Sequence, residues 1–119
     1  MTEIQNSKIY DLEERTFNLA VKINDYVRRL SKDIPNIENG KQLVRSAGSI
    51  GANYIEANES LSKKDFMMRI KICRKEAKET RFWINLSKPD EKSLKERNSL
   101  SSEVTELMKI FGSIIEKSK

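Results

Sequence analysis

The chain has 119 residues, of which 37% are hydrophobic and 34% charged, and it contains four Gly, two Pro, one Cys and no His. This length fits one domain, residues 1–119, and so few turn residues exclude a β-sandwich. The missing His removes Ser-His and Cys-His nucleophile pairs and the His-containing metal sites, and no Gly-rich phosphate loop is present. We therefore predict that the chain is not an enzyme and has no cofactor, no metal and no small-molecule substrate.

The chain carries no signal for a membrane or for secretion. It has no run of about 18 apolar residues, and residues 1–6 lack a basic stretch followed by an apolar one. The single Cys73 cannot form an intrachain disulfide, which fits a reducing compartment. We expect a cytoplasmic protein with no membrane partner.

The net charge of +5 is concentrated in one segment. Residues 63–88 contain nine basic and three acidic residues, a net of +6, and the rest of the chain is close to neutral.

The first predicted helix spans about residues 11–32. Apolar or small residues recur along it at helical spacing and define one face: Leu12, Thr16, Leu19, Ala20, Ile23, Tyr26, Val27 and Leu30. We expect Ile34-Pro35 to end this helix, because the residue before Pro is pushed out of the α region.

The second predicted helix spans about residues 40–60. Asn39, with Gln42 three residues on, resembles a capping box. The predicted core face consists of Leu43, Ala47, Ile50, Gly51, Tyr54, Ala57 and Leu61. Residues 46–52 are unusually small, and two of them are Gly, which weakens a helix by about 1 kcal/mol relative to Ala. We expect a neighbouring helix to approach closely there.

The third and fourth predicted helices span about residues 63–86 and 90–117. Ser62 and Asp65 form the capping pattern of the third, and Pro89 suits the start of the fourth. The core stripe of the third helix consists of Phe66, Ile70, Cys73, Ala77, Thr80 and Ile84. That of the fourth consists of Leu94, Leu100, Val104, Leu107, Met108, Phe111, Ile114 and Ile115. Short connectors favour an all-α, antiparallel, up-down-up-down four-helix bundle.

Several apolar residues fall outside these stripes and would be exposed in a lone protomer. They are Phe17 and Val21 on the first helix and Met68, Ile72 and Trp83 on the third. Grouped exposed apolar side chains are typical of a partner surface, so we predict self-association. The alternative is that the bundle twists and buries these residues at its flank. For Trp83 alone, we expect packing in an interface and not stacking on a base.

A polar cluster shares one sector of the second helix. Its members are Arg45, Ser49, Asn53 and Glu56. We predict a hydrogen-bonded seam to a neighbouring helix or subunit, in which Glu56 or Glu79 accepts the guanidinium of Arg45. The alternative, a small-ligand site, is less favoured because the cluster lacks a nucleophile–base pair.

A basic stripe runs along the third helix. Lys64, Lys71, Lys75 and Lys78 lie within about 60° of one another, flanked by Arg74. Such a stripe can follow nucleic-acid phosphates without reading sequence, or it can be a solvated face that aids solubility. Cys73 lies on the core stripe of the same helix and is predicted to be a small buried residue and not a nucleophile.

Residues 42–57 read Gln-Leu-Val-Arg-Ser-Ala-Gly-Ser-Ile-Gly-Ala-Asn-Tyr-Ile-Glu-Ala, and residues 64–66 and 76–84 read Lys-Asp-Phe and Glu-Ala-Lys-Glu-Thr-Arg-Phe-Trp-Ile. These segments resemble the 23S rRNA intervening-sequence protein family, also called the four-helix-bundle family, over about residues 9 to 115. Asn58 departs from the pattern, which has a frequent Gly after the Glu-Ala pair. The resemblance implies a bacterial protein that forms a ring-shaped homopentamer. A related branch, the accessory proteins of diversity-generating retroelements, binds nucleic acid and a reverse transcriptase, and no catalytic activity is established for the family.

Two functions remain open from the sequence. One is a homo-oligomeric scaffold or interaction module that also binds RNA or DNA non-specifically through the basic stripe. The other is a purely structural protein–protein adaptor with no nucleic-acid role.

Overall fold

The computed structural model describes the backbone of residues 3–119 and the side chains of residues 12–119. Four helices follow one another along the chain: α1 (Glu3–Arg28), α2 (Ile34–Asn58), α3 (Lys63–Leu86) and α4 (Leu94–Lys117), with a 3₁₀ turn at Glu91–Ser93. Residues 3–119 contain no strand, so the all-α prediction is confirmed, and the helix count is consistent with a four-helix bundle. The molecule is elongated, at 46 × 25 × 19 Å.

The boundary between the first two helices differs from the prediction. The helix predicted at 11–32 spans Glu3–Arg28, and the one predicted at 40–60 spans Ile34–Asn58. Pro35 lies in the first turn of α2 and does not terminate α1, because a first-turn residue needs no intrahelical N–H partner. Asp33 is the true N-cap, and its carboxylate accepts the Asn36 N–H at 2.8 Å. The predicted cap at Asn39 is therefore wrong, since Asn39 lies inside α2.

The later helix ends agree better with the prediction. Helix α3 has the predicted bounds, and the Ser62 hydroxyl accepts the Asp65 N–H at 3.1 Å, which confirms the predicted cap. The fourth helix was predicted from residue 90, but Asp90 caps the 3₁₀ turn and α4 begins at Leu94. The Ser93 N–H donates to the Asp90 carbonyl oxygen at 3.1 Å, which is the i to i+3 bond of a 3₁₀ turn, and it also lies 3.2 Å from the Asp90 carboxylate.

The core follows most of the predicted stripes. Tyr26, Tyr54 and Phe111 are among its largest fully buried side chains, and the Tyr54 and Phe111 rings lie 6.2 Å apart. Two predicted core residues are exposed. Leu61, 99% exposed, lies in the connector after α2, and Leu94 lies in the first turn of α4, before the buried residues of that helix begin. Periodicity alone could not show that these positions have no helix packed over them.

Of the two glycines in residues 46–52, one lies at a close helix approach. A Cβ added to Gly51 would lie 3.0 Å from Thr16 Oγ1, so the missing side chain lets α1 and α2 approach each other. A Cβ added to Gly48 would meet nothing within 4 Å. Helix α2 packs against α1 and α3, and α4 packs against α3 and α1, so α1 and α3 lie diagonally across the molecule.

Candidate functional site

Three of the four predicted polar residues of α2 form a polar seam, a ladder of contacts along the α2–α3 boundary. Arg45 donates to Glu79 Oε1 at 2.6 Å. Asn53 donates to Ser49 Oγ at 3.0 Å and accepts a hydrogen bond from Arg69 Nη1 at 3.1 Å. The ladder therefore joins two helices of the same chain. Glu56, the fourth predicted member, is exposed, and Glu79 is the carboxylate that accepts from Arg45.

The ladder also covers a buried carboxylate that the sequence analysis did not single out. Glu76 is only 6% exposed, and its Oε2 lies 3.5 Å from Arg45 Nη1. That contact is an ion pair by distance but not a hydrogen bond, so Oε2 accepts no hydrogen bond from a described donor. A buried charge that is poorly hydrogen-bonded depends strongly on a nearby opposite charge, so Arg45 is central to this seam.

The apolar residues outside the core stripes differ in how far they are exposed. Phe17 is 67% exposed, and Val21 and Met68 are also exposed. Ile72 and Trp83 are half-buried, and Trp83 packs against the core while its indole N–H donates to Glu79 Oε1 at 3.4 Å. Because α1 and α3 are diagonal, Phe17 and Val21 form one surface patch and Met68 and Ile72 another.

Sequence analysis missed further exposed apolar residues. Phe82, on α3, is 58% exposed. Ile37, Val44 and Ile55 are exposed along one line of α2, and their spacing of seven and eleven residues was the signal that could have identified them.

All five residues of the predicted basic stripe point to solvent. Lys64, Lys71, Arg74, Lys75 and Lys78 are exposed, and none forms an ion pair with a carboxylate among residues 12–119. Two of the three acids of α3 are turned away, since Glu76 is buried and Glu79 is paired with Arg45, whereas Asp65 is exposed beside Lys64. The stripe therefore presents positive charge that its own helix does not neutralise.

A shallow surface groove lies beside this stripe. Its lining consists of three lysines, one aspartate and three apolar residues: Lys64, Asp65, Met67, Met68, Lys71, Ile72 and Lys75. The groove brings the exposed patch of α3 and the basic stripe onto one surface.

Cys73 is buried, as predicted, with its Sγ 3.5 Å from the carbonyl oxygen of Ile50. Burial raises the pKa of the thiol to about 12, which keeps it protonated and a poor nucleophile at neutral pH. Among the side chains of residues 12–119, no group of three Cys, Asp or Glu residues could hold a metal ion. None of the helices in the described part of the chain is both long enough and apolar enough to span a membrane.

The fold and these surfaces define a class of small all-α proteins with four helices, a polar seam between α2 and α3, and a cationic outer face on α3. Comparison with known families then supplies a family assignment. The family model described as 23S rRNA-intervening sequence protein matches residues 8–113, and the chain belongs to this family.

A solved structure supports the assignment. The crystal structure of a protein of unknown function from the S23 ribosomal protein family of Bacteroides thetaiotaomicron VPI-5482 is 32% identical to this chain. The two superpose with a TM-score of 0.80 over 92% of this chain and 98% of that one. No curated protein matches the chain significantly.

Proposed function

We propose that this chain is a non-enzymatic, cytoplasmic scaffold that assembles from identical copies of an antiparallel, up-down-up-down bundle. The antiparallel order is supported by contacts between α2 and α3, in which residue numbers rise along α2 as those of their partners fall along α3. These contacts pair Ser46 with Thr80, Ile50 with Cys73, and Asn53 with Arg69.

The observation that carries the scaffold proposal is the pair of exposed apolar patches on diagonal helices. Phe17 and Val21 lie on α1, and Met68 lies on α3. Two different patches on one protomer suit a heterologous contact, in which one patch of each copy meets the other patch of the next. Repetition of such a contact closes into a ring when the rotation allows, and the family resemblance favours five subunits.

The test is the mass of the assembly, measured by light scattering coupled to size exclusion. Replacing Phe17 with Ser should lower the assembled mass and leave the helical circular dichroism unchanged, because the side chain is 67% exposed in the protomer. Ile34→Ser is the matched control, since Ile34 is 78% exposed at the start of α2 and belongs to neither patch. A monomeric wild-type protein at micromolar concentration would overturn the scaffold proposal. Trp83→Ala is a poorer probe, since Trp83 also packs against the core.

A second function is favoured by the basic stripe, whose five exposed cations have no ion-pair partner among residues 12–119. We propose that the stripe binds the phosphates of RNA or DNA without reading sequence. If five phosphates are neutralised, affinity for a single strand should fall about 100-fold between about 50 and 200 mM salt.

Fluorescence anisotropy with labelled RNA and DNA tests this second function. Changing Lys71, Lys75 and Lys78 together to Glu should abolish binding. A charge-matched control changes three exposed lysines on the other helices, Lys22, Lys95 and Lys109, to Glu. Equal losses in the two triple variants would assign binding to net charge alone, and no binding by the wild type would leave the purely structural adaptor.

A further inference from the structure

Phe82 continues the line of the basic stripe. It follows Lys78 by four residues, Lys75 by seven and Lys71 by eleven, which places all four side chains on one face of α3. The distance along the helix axis from Lys71 to Phe82 is about 16 Å. Helices α2 and α4 pack on the flanks of α3, so this face is left to solvent.

The Phe82 ring is held and yet accessible. It makes an edge-to-face contact with the Trp83 ring, with centroids 4.9 Å apart and an interplanar angle of 81°. Trp83 packs against the core, so this contact orients Phe82 from one side. More than half of the Phe82 side chain remains exposed at 58%.

A single-stranded nucleic acid exposes both phosphates and unpaired bases, and this face has unpaired cations for the phosphates and an oriented, exposed aromatic ring for a base. The cations attract successive phosphates, and the ring offers a surface on which an unpaired base can stack. A base inside a duplex is already stacked on both faces and cannot reach such a ring. Three lysines in line with Phe82 over about 16 Å favour a polyanion as occupant over an uncharged apolar surface.

We propose that the exposed face of α3 binds single-stranded nucleic acid, with an unpaired base stacked on Phe82 and the adjoining phosphates on Lys71, Lys75 and Lys78. This inference rests on the proposed phosphate binding by the basic stripe and specifies its ligand. It also assigns Phe82 a role that a purely electrostatic stripe would not need.

The experiment compares a labelled single strand of about 12 thymidines with a hairpin duplex of similar length, using the full chain. The single strand should bind more tightly. Phe82→Ala and Phe82→Leu should each weaken single-strand binding about tenfold and leave duplex binding unchanged, because Leu is apolar but offers no stacking face. Phe82→Tyr should bind the single strand as the wild type does.

Trp83 supplies an independent signal because it is the only tryptophan in the chain and contacts Phe82. Its fluorescence should be quenched by the single strand and not by the duplex. Phe82→Leu should remove that difference between the two ligands.

The outcomes distinguish this inference from the proposed phosphate binding on which it rests. Equal binding of both ligands with no effect of Phe82→Leu would overturn the inference and leave phosphate binding intact. A lower assembled mass in Phe82→Leu with unchanged affinity would assign the ring to a contact between copies and would also overturn it. No binding of either ligand by the wild type would remove both proposals.

Discussion

Replacement of Arg45 by Ala tests whether the α2–α3 polar seam is structural. The change removes the 2.6 Å hydrogen bond to Glu79 and the 3.5 Å ion pair with Glu76. Arg45 is itself half exposed, so its pair with Glu79 contributes about 1 kcal/mol or less. Arg45 is also the one described cation paired with the buried Glu76 carboxylate among residues 12–119, and loss of that pair adds about 1–3 kcal/mol. We expect the free energy of unfolding to fall by about 2 kcal/mol.

The assay is urea denaturation followed by circular dichroism at one fixed protein concentration, since assembly would shift apparent stability. Arg28→Ala is the control, because Arg28 forms an exposed pair with Asp25 and its loss should change stability by less than about 0.5 kcal/mol. Adding Glu76→Gln to Arg45→Ala should recover part of the lost stability by removing the buried charge. If Arg45→Ala matched the control in stability but lowered the assembled mass, the seam would be an interface between copies and this reasoning would be refuted.

Three further outcomes follow from packing and burial. Gly48→Ala should raise stability by about 1 kcal/mol, whereas Gly51→Ala should not, because its new Cβ would meet Thr16 Oγ1 at 3.0 Å; equal shifts in urea midpoint would contradict this. Burial raises the pKa of the Cys73 thiol from 9.0 to about 12. The stability gained by keeping this thiol neutral is therefore complete below pH 9 and is lost as the pH rises towards 12. Iodoacetamide at pH 8 should label the thiol only through unfolding. Leu61→Ser should leave the urea midpoint unchanged, since the side chain is 99% exposed; a marked destabilisation would show that Leu61 is covered.

Much of the candidate surface was predictable because solvent exposure on a helix follows from its spacing. The basic stripe was predicted residue by residue, since Lys71, Lys75 and Lys78 lie on one side of α3 and the core stripe on the other. Phe82 was missed because the basic stripe was defined by charge alone, so an apolar residue four positions after Lys78 was not counted with it. Only the packing of α2 and α4 around α3 shows that its ring is left uncovered.

The polar seam also shows that spacing along one helix does not reveal which element packs against it. Local spacing placed Arg45 and Asn53 on one sector of α2, but it left open whether their partners lay on another helix or another subunit. The structure pairs them with Glu79 and Arg69 of α3. It also places Glu76 beneath the seam: its spacing from Cys73 and Thr80 puts it beside the core stripe, but only the packing of α2 shows that Arg45 covers it.

The sequence by itself determined that this protein is helical, where α3 begins and ends, and most of the inward-facing residues. These properties depend on interactions between residues three or four positions apart, which the sequence displays directly. The tertiary structure decided that Pro35 starts a helix, that Leu61 is exposed and that Arg45 covers a buried carboxylate. Each of these depends on which neighbouring element packs over a given face, and that information lies far away along the chain.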